Sequence, residues 1–161
     1  MNNYMKKQSP RYSLDDSLGY LTARFSGAML KRINLELRRQ GHKITSGHFP
    51  LLVELWDQDG QTQLSLSEKL HKDKTVTSRI LSSVESAGLI VRKPGKDDRR
   101  EKIVHLTASG KKVMDEVTVL VQGLLNSAKK GISKKDIVIC KDVLRRAYKN
   151  ISQFFCDNGC I

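Results

Sequence analysis

At 161 residues the chain is long enough for one domain with a real core, and its three prolines are too few for a disordered, linker-rich chain. It is 39% hydrophobic, 6% aromatic and 29% charged, a mix that suits helices with exposed, charged faces. Lys and Arg number 29 against 17 Asp and Glu, a formal net charge of +12. That balance favours a polyanionic partner, nucleic acid or an anionic membrane surface, over a generic basic surface.

No apolar run approaches the roughly 18 residues of a membrane span. The opening MNNYMKKQSPRYS lacks the apolar centre of a signal peptide, so a cytoplasmic protein is expected. Cys140, Cys156 and Cys160 are odd in number and late in the chain, which argues against a disulfide framework.

In chain order, residues 1–12 read as a flexible basic tail. SLDD (Ser13 to Asp16) has the spacing of a capping box. Leu14, Leu18, Leu21, Phe25, Ala28/Met29, Ile33 and Leu37 then recur at helical spacing until Gly41. A second, shorter helix is expected from a Thr45 cap, with Phe49, Leu52, Val53 and Trp56 on its inner side; Pro50 predicts a late start or a kink. A third helix of about two turns turns Leu66 and Leu70 inward, capped by Ser65 with Glu68, or else by Thr62. A fourth runs to Gly88 with Ile80, Leu81, Val84 and the Thr77 methyl inward.

The period then changes. LIVR and KIVHL are short β-rich runs joined by a charged loop, which predicts a projecting hairpin. Thr107 caps a fifth helix, with Val113, Val117, Leu120, Val121, Leu124 and Leu125 on one side, and Gly131 ends it. SKKD (Ser133 to Asp136) starts a sixth, with Ile137, Cys140, Leu144, Ala147/Tyr148, Ile151 and Phe154/Phe155 in a stripe, before a fraying CDNGCI tail.

Between residues 61 and 107 the order helix, helix, hairpin is that of a winged helix-turn-helix, whose second helix can lie in a major groove while the wing reaches a minor groove. The outward side of the fourth helix carries Lys74, Thr75, Ser78, Arg79 and Ser82. Small hydroxyls permit close approach, Arg79 is long enough to pair with a guanine edge, and Lys74 suits a phosphate. A merely solvated polar face is the competing reading.

The loop GKDDRR sets Asp97 and Asp98 against Arg99 and Arg100. Catalysis by the carboxylates would need a concave, partly dry site, which a projecting loop does not supply. The arginines would also keep the carboxylates ionised, the wrong state for a general acid. Arg100 entering a narrow minor groove, with Asp98 bracing an arginine, fits better than catalysis or than a merely soluble turn.

SEKLHKDKTVTSRILSSVESAGLIVRKPGKDDRREKIVHLTASGKKV resembles the MarR family of bacterial transcriptional regulators, above all in DRR followed by VHLTASG, which is similar to the family's wing signature. KITSGHFPLL resembles the family's second helix. The likeness runs from about Leu14 to Phe155. It departs at Ser67, where alanine is usual, and at Val76-Thr77-Ser78 in place of the commoner Thr-Val/Ile-Thr.

The resemblance implies a mainly α fold with a small β-hairpin wing. It also implies a homodimer built from helices at both chain ends, each winged module taking one half-site of a pseudo-palindromic operator. DNA contacts carry over to Thr75, Arg79 and Arg100, with Lys74 and Ser78 beside them. The implied organisation is one integrated domain, roughly residues 13–155. Residues 13–60 give dimerisation and support helices, 61–107 the DNA-binding module and 108–161 the C-terminal dimerisation helices.

A repressor released by a small aromatic or phenolic effector is the implied mechanism, with Tyr20, Arg24 and His48 as pocket candidates, each competing with ordinary packing or surface charge. The alternative is a winged helix that binds DNA without specificity, or contacts RNA or protein, without effector control. Cys140, on an apolar stripe, reads as a core filler, and the spacing of Cys156 and Cys160 is a weak metal or redox signal. The four histidines are scattered, no nucleophile–base pair assembles, and neither metal, cofactor nor enzymatic activity is expected.

Overall fold

The computed structural model describes residues 13–95 and 101–157, with the side chains of the last helix described as far as Gln153. Six helices and three short strands follow in the order α1 (Leu18–Arg39), α2 (Phe49–Asp57), β1 (Gln61–Thr62), α3 (Gln63–Lys69), α4 (Lys74–Ser86), β2 (Ile90–Pro94), β3 (Lys102–Leu106), α5 (Ala108–Ala128) and α6 (Lys134–Asp157). This is the mainly helical, winged architecture that the sequence predicts. The tail 1–12, Asp98, Arg99, Arg100 and Cys160 fall outside the described residues, as do the side chains of Phe154, Phe155 and Cys156.

Two compact units divide the chain, Met1–Val121 and Gln122–Ile161. In the first, the core gathers Ile33 and Leu37 of α1, Leu51, Leu52 and Leu55 of α2, Leu66 of α3, Leu81 and Val84 of α4, Val104 and Leu106 of β3 and Met114 and Val117 of α5. The strands form a three-stranded antiparallel sheet in the order β1-β3-β2, with Ile90 opposite Leu106 and Gln61 opposite Val104.

Strand β1 was not foreseen in the sequence. Two residues carry no alternation, and they become a strand only because β3 returns beside them. Gln61, almost fully buried, fixes the corner: its Nε2 donates to the carbonyls of Glu54 at 2.8 Å and Gln58 at 2.7 Å, capping the end of α2.

Several local expectations shift. The first helix starts at Leu18, not in a Ser13 box, because Ser17 supplies the cap: its Oγ accepts the Tyr20 N–H at 3.3 Å. Helix α2 starts late, as Pro50 predicts. Pro50 sits in the first turn, where no N–H is required, and His48 rather than Thr45 is the residue before the helix.

The inner side of α2 is Leu51, Leu52 and Leu55, whereas Val53 and Trp56 are exposed. The helix is apolar nearly all round, so spacing did not single out its buried face. Thr62 caps α3, accepting the Ser65 N–H at 3.1 Å. Leu70 and Ile80 are half-buried.

On α1 only the second half of the stripe is buried; Leu18, Leu21 and Phe25 are exposed. On α5, Val117 and Val121 are buried with Met114, while Leu125 is exposed. In the second unit no described side chain of α6 is buried, and Val138, Ile139, Leu144, Tyr148 and Ile151 are exposed. Cys140 is exposed as well and is not a core filler. A unit this short has too little surface to enclose a whole stripe. Among the described residues no helix is long and apolar enough to cross a membrane.

The wing root meets α5 at a tight junction. Gly88, at φ +75°, ends α4, and the Thr107 hydroxyl donates to its carbonyl at 2.7 Å while accepting the Gly110 N–H at 3.0 Å. A Cβ added at Gly110 would overlap the Leu89 carbonyl oxygen and lie 3.2 Å from Leu106 Cδ2. Gly110→Ala is expected to destabilise the protein by about 3 kcal/mol, an overpacking against backbone that cannot rotate away, measurable as a lower urea midpoint at unchanged slope.

Candidate nucleic-acid interface

The turn between α3 and α4 is closed by backbone. The His71 N–H reaches Glu68 O at 3.1 Å and the Lys72 N–H reaches Ser67 O at 3.0 Å, with His71 itself at φ +49°. A non-glycine residue in that region marks a turn dictated by the packing of the two helices. Asp73 then caps α4: its Oδ1 accepts the Val76 N–H at 2.8 Å. The carboxylate at the helix N-terminus suits the macrodipole, and it occupies an amide that an external anion would otherwise use. Any anion at this end therefore meets the side chains of Lys74 and Thr75.

Helix α4 buries Thr77, Leu81 and Val84 and turns the opposite side outward. Lys74, Thr75, Ser78, Arg79 and Ser82 together line one open depression on that side. Thr75, Ser78, Arg79 and Ser82 stand at i, i+3, i+4 and i+7, so helical geometry alone puts them in a row. Lys74, Thr75 and Arg79 are exposed and Ser78 is half-buried. All five residues of the fourth helix singled out from the sequence are thus gathered on one surface. The wing residues Asp98, Arg99 and Arg100 cannot be placed on it, since they lie outside the described residues.

The effector candidates are dispersed. Tyr20 and Arg24, one turn apart, are both exposed on α1. His48 stands before α2, its Nδ1 accepting the Thr45 N–H at 3.2 Å. Among the described residues no hydrogen bond or ion pair joins the three.

Sequence reasoning missed the polar residues that attach the wing. Asp59 Oδ1 accepts the Leu106 N–H at 2.8 Å, and its Oδ2 lies 3.4 Å from His105 Nδ1. On the other edge Glu85 meets Arg92: Oε2 is 2.9 Å from the Arg92 Nη2 and Oε1 accepts the Arg92 N–H at 3.2 Å. Arg92 Nη2 also donates to Ser82 Oγ at 2.9 Å. Nothing in the spacing of Asp59, Glu85 or Arg92 announces these contacts: Asp59 meets residues 46 and 47 positions on, and Glu85 meets Arg92 only once the chain has turned from α4 into β2.

The model of the MarR family matches residues 44–102, from the segment before α2 to the start of β3. Over that stretch, and there alone, the chain matches the MarR family. Its fold is shared with the MepR–DNA complex of S. aureus, at TM-score 0.77 and 24% identity over 84% of this chain and 98% of that one. CouR of Rhodococcus jostii, solved with p-coumaroyl-CoA, is similar at TM-score 0.71 and 25% identity, covering 83% and 92%. An organic hydroperoxide resistance transcriptional regulator of Bacillus subtilis is 24% identical over 149 residues, covering 92% of this chain and 99% of the relative. The chain thus has the winged helix-turn-helix fold of these regulators, with a MarR-type segment at its centre.

Two outcomes are expected from this part of the structure. Thr77 Oγ1 is buried with no hydrogen-bond partner among the described residues. Thr77→Val keeps the shape and removes the desolvated hydroxyl, so it should raise stability by about 1 kcal/mol in urea unfolding. Burial lowers the His48 pKa from its ordinary 6.5. The unfolded chain then binds the proton more readily, so the stability owed to a neutral His48 is complete above about 6.5 and declines as pH falls toward the folded value. The urea midpoint of wild type should fall between pH 7.5 and 5 more steeply than that of His48→Gln, and parallel slopes would exclude His48 as the cause.

Proposed function

We propose that this chain acts as a homodimer on double-stranded DNA, repressing transcription from a pseudo-palindromic operator until a small aromatic or phenolic effector releases it. The observation that carries this reading is the single outward surface of α4, on which Lys74, Thr75, Ser78, Arg79 and Ser82 meet. A helix that offers two cations and three small hydroxyls, beside a wing, matches the needs of a major groove: charge for phosphates, Arg79 for a guanine edge, and no bulk to prevent approach. The net charge of +12 supplies the long-range attraction. Arg99 and Arg100 extend it from the wing, with Arg100 for a narrow minor groove and Asp98 as its brace.

The dimer is supported by apolar surface that a lone chain leaves in water. Leu18, Leu21 and Phe25 on α1, and separately Val138, Ile139, Tyr148 and Ile151 on α6, are exposed, and contiguous stripes of that kind mark interfaces. In this reading residues 13–60 and 108–161 carry the two-fold contacts and 61–107 the DNA module, in a cytoplasmic protein. That MepR is solved with DNA and CouR with p-coumaroyl-CoA supports both halves of the proposal, operator and aromatic ligand. Tyr20, Arg24 and His48 are the residues proposed to hold the effector, Arg24 as the partner of a carboxylate.

Selection of bound fragments from genomic DNA, followed by gel-shift titration, tests the reading. A duplex should be enriched whose affinity falls steeply with salt and exceeds that of mixed-sequence DNA. Arg79→Ala should cost about 1–3 kcal/mol on the enriched duplex and relax its specificity. Equal affinity for mixed-sequence DNA would leave an architectural role, and absence of duplex binding would refute the regulator reading.

A further inference from the structure

Strand β2 is an edge of the sheet, and among the described residues its side-chain hydrogen bonds and ion pair to α4 centre on Arg92. Glu85 takes both the backbone N–H and the guanidinium of Arg92, and the same Nη2 reaches Ser82 Oγ at 2.9 Å. The Arg92 side chain is only 22% exposed, and its Nε is buried without a partner. The guanidinium is therefore committed inward, to α4, and is not spread over the surface like Arg79. Ser82 and Glu85 stand one turn apart at the C-terminal end of the row that begins with Thr75, so the contact fastens the wing to the DNA-facing side of the helix itself.

We propose that Arg92 and Glu85 form a positioning clamp for DNA binding, which fixes the wing against the recognition helix and leaves the Ser82 hydroxyl as a donor aimed at a phosphate. This rests on the regulator reading above. The chemistry of Ser82 follows from its contact. With a lone pair of Oγ engaged by a guanidinium, the hydroxyl is polarised and its proton is the part left to offer. A donor of that kind suits a phosphate oxygen, which accepts only, and carries no sequence information. Arg92 gives the wing strand a fixed distance from Ser82 because a planar guanidinium holds its partners at set angles, as a lysine would not. Glu85 closes the edge of the sheet by taking an N–H that would otherwise be unpaired.

Glu85→Gln separates this role from simple electrostatics by sign. The substitution removes a negative charge beside the DNA-facing surface, so Coulomb attraction alone would tighten binding to any duplex. Loss of the clamp should instead weaken it, about tenfold on the enriched duplex and on mixed-sequence DNA alike. Ser82→Ala should weaken both duplexes by one common factor, and should add little on top of Glu85→Gln, since the two act through one contact. Titrations are made where circular dichroism shows each variant folded. Binding by Glu85→Gln as tight as wild type or tighter, or additive losses in the double variant, would overturn the clamp while leaving the regulator reading intact. If Glu85→Gln does not fold, Ser82→Ala decides alone, and unchanged affinity overturns the proposal. Failure of wild type to bind either duplex would remove the regulator reading and the clamp together.

Discussion

The closeness of α5 to the Leu89 carbonyl is the constraint on which the winged module depends. Gly110 stands where a side chain would collide with that backbone, and the Thr107 N–H donates to the same carbonyl at 3.0 Å. Together they bring the start of α5 onto the end of α4. The two strands between these points have no freedom in where they begin and end: Ile90 must face Leu106, and the pairing then runs to Pro94 opposite Lys102. A hairpin anchored this firmly at its root can carry a charged loop at its far end without losing register.

Around that root the backbone's orphan groups are met by side chains. Gln61 serves the last carbonyls of α2, Asp59 the Leu106 N–H, Thr107 the Gly88 carbonyl and Asp73 the first turn of α4. Each is worth on the order of 1 kcal/mol. Their main effect is geometric, since each attaches one element's end to another element's body. Surface ion pairs such as Arg146 with Asp142 contribute little by comparison, being exposed and screened.

The division of labour on α4 links fold to function. Its inner side is apolar apart from Thr77, and its outer side carries no large apolar residue. Stability is thus borne by Leu81 and Val84, while Thr75, Ser78 and Arg79, the residues proposed to meet DNA, lie outside the core. Changing an outer residue of such a helix leaves the core untouched, so the proposed contact surface can vary without loss of the fold.

Much of this was legible in the sequence because it is local. Helical spacing marked the outer row of α4, Gly41, Gly88 and Gly131 marked helix ends, and the change of period after Gly88 marked the wing. The structure decided what spacing left open. It chose Ser17 over Ser13 as the cap and Leu51 and Leu55 over Val53 and Trp56 as the buried side of α2. It made two residues after Gly60 a strand, left Cys140 exposed, and joined Glu85 to Arg92. Periodicity reports how side chains are arranged around one axis; it carries no information about which polar group will close a helix end, or which neighbouring element will arrive to cover a face.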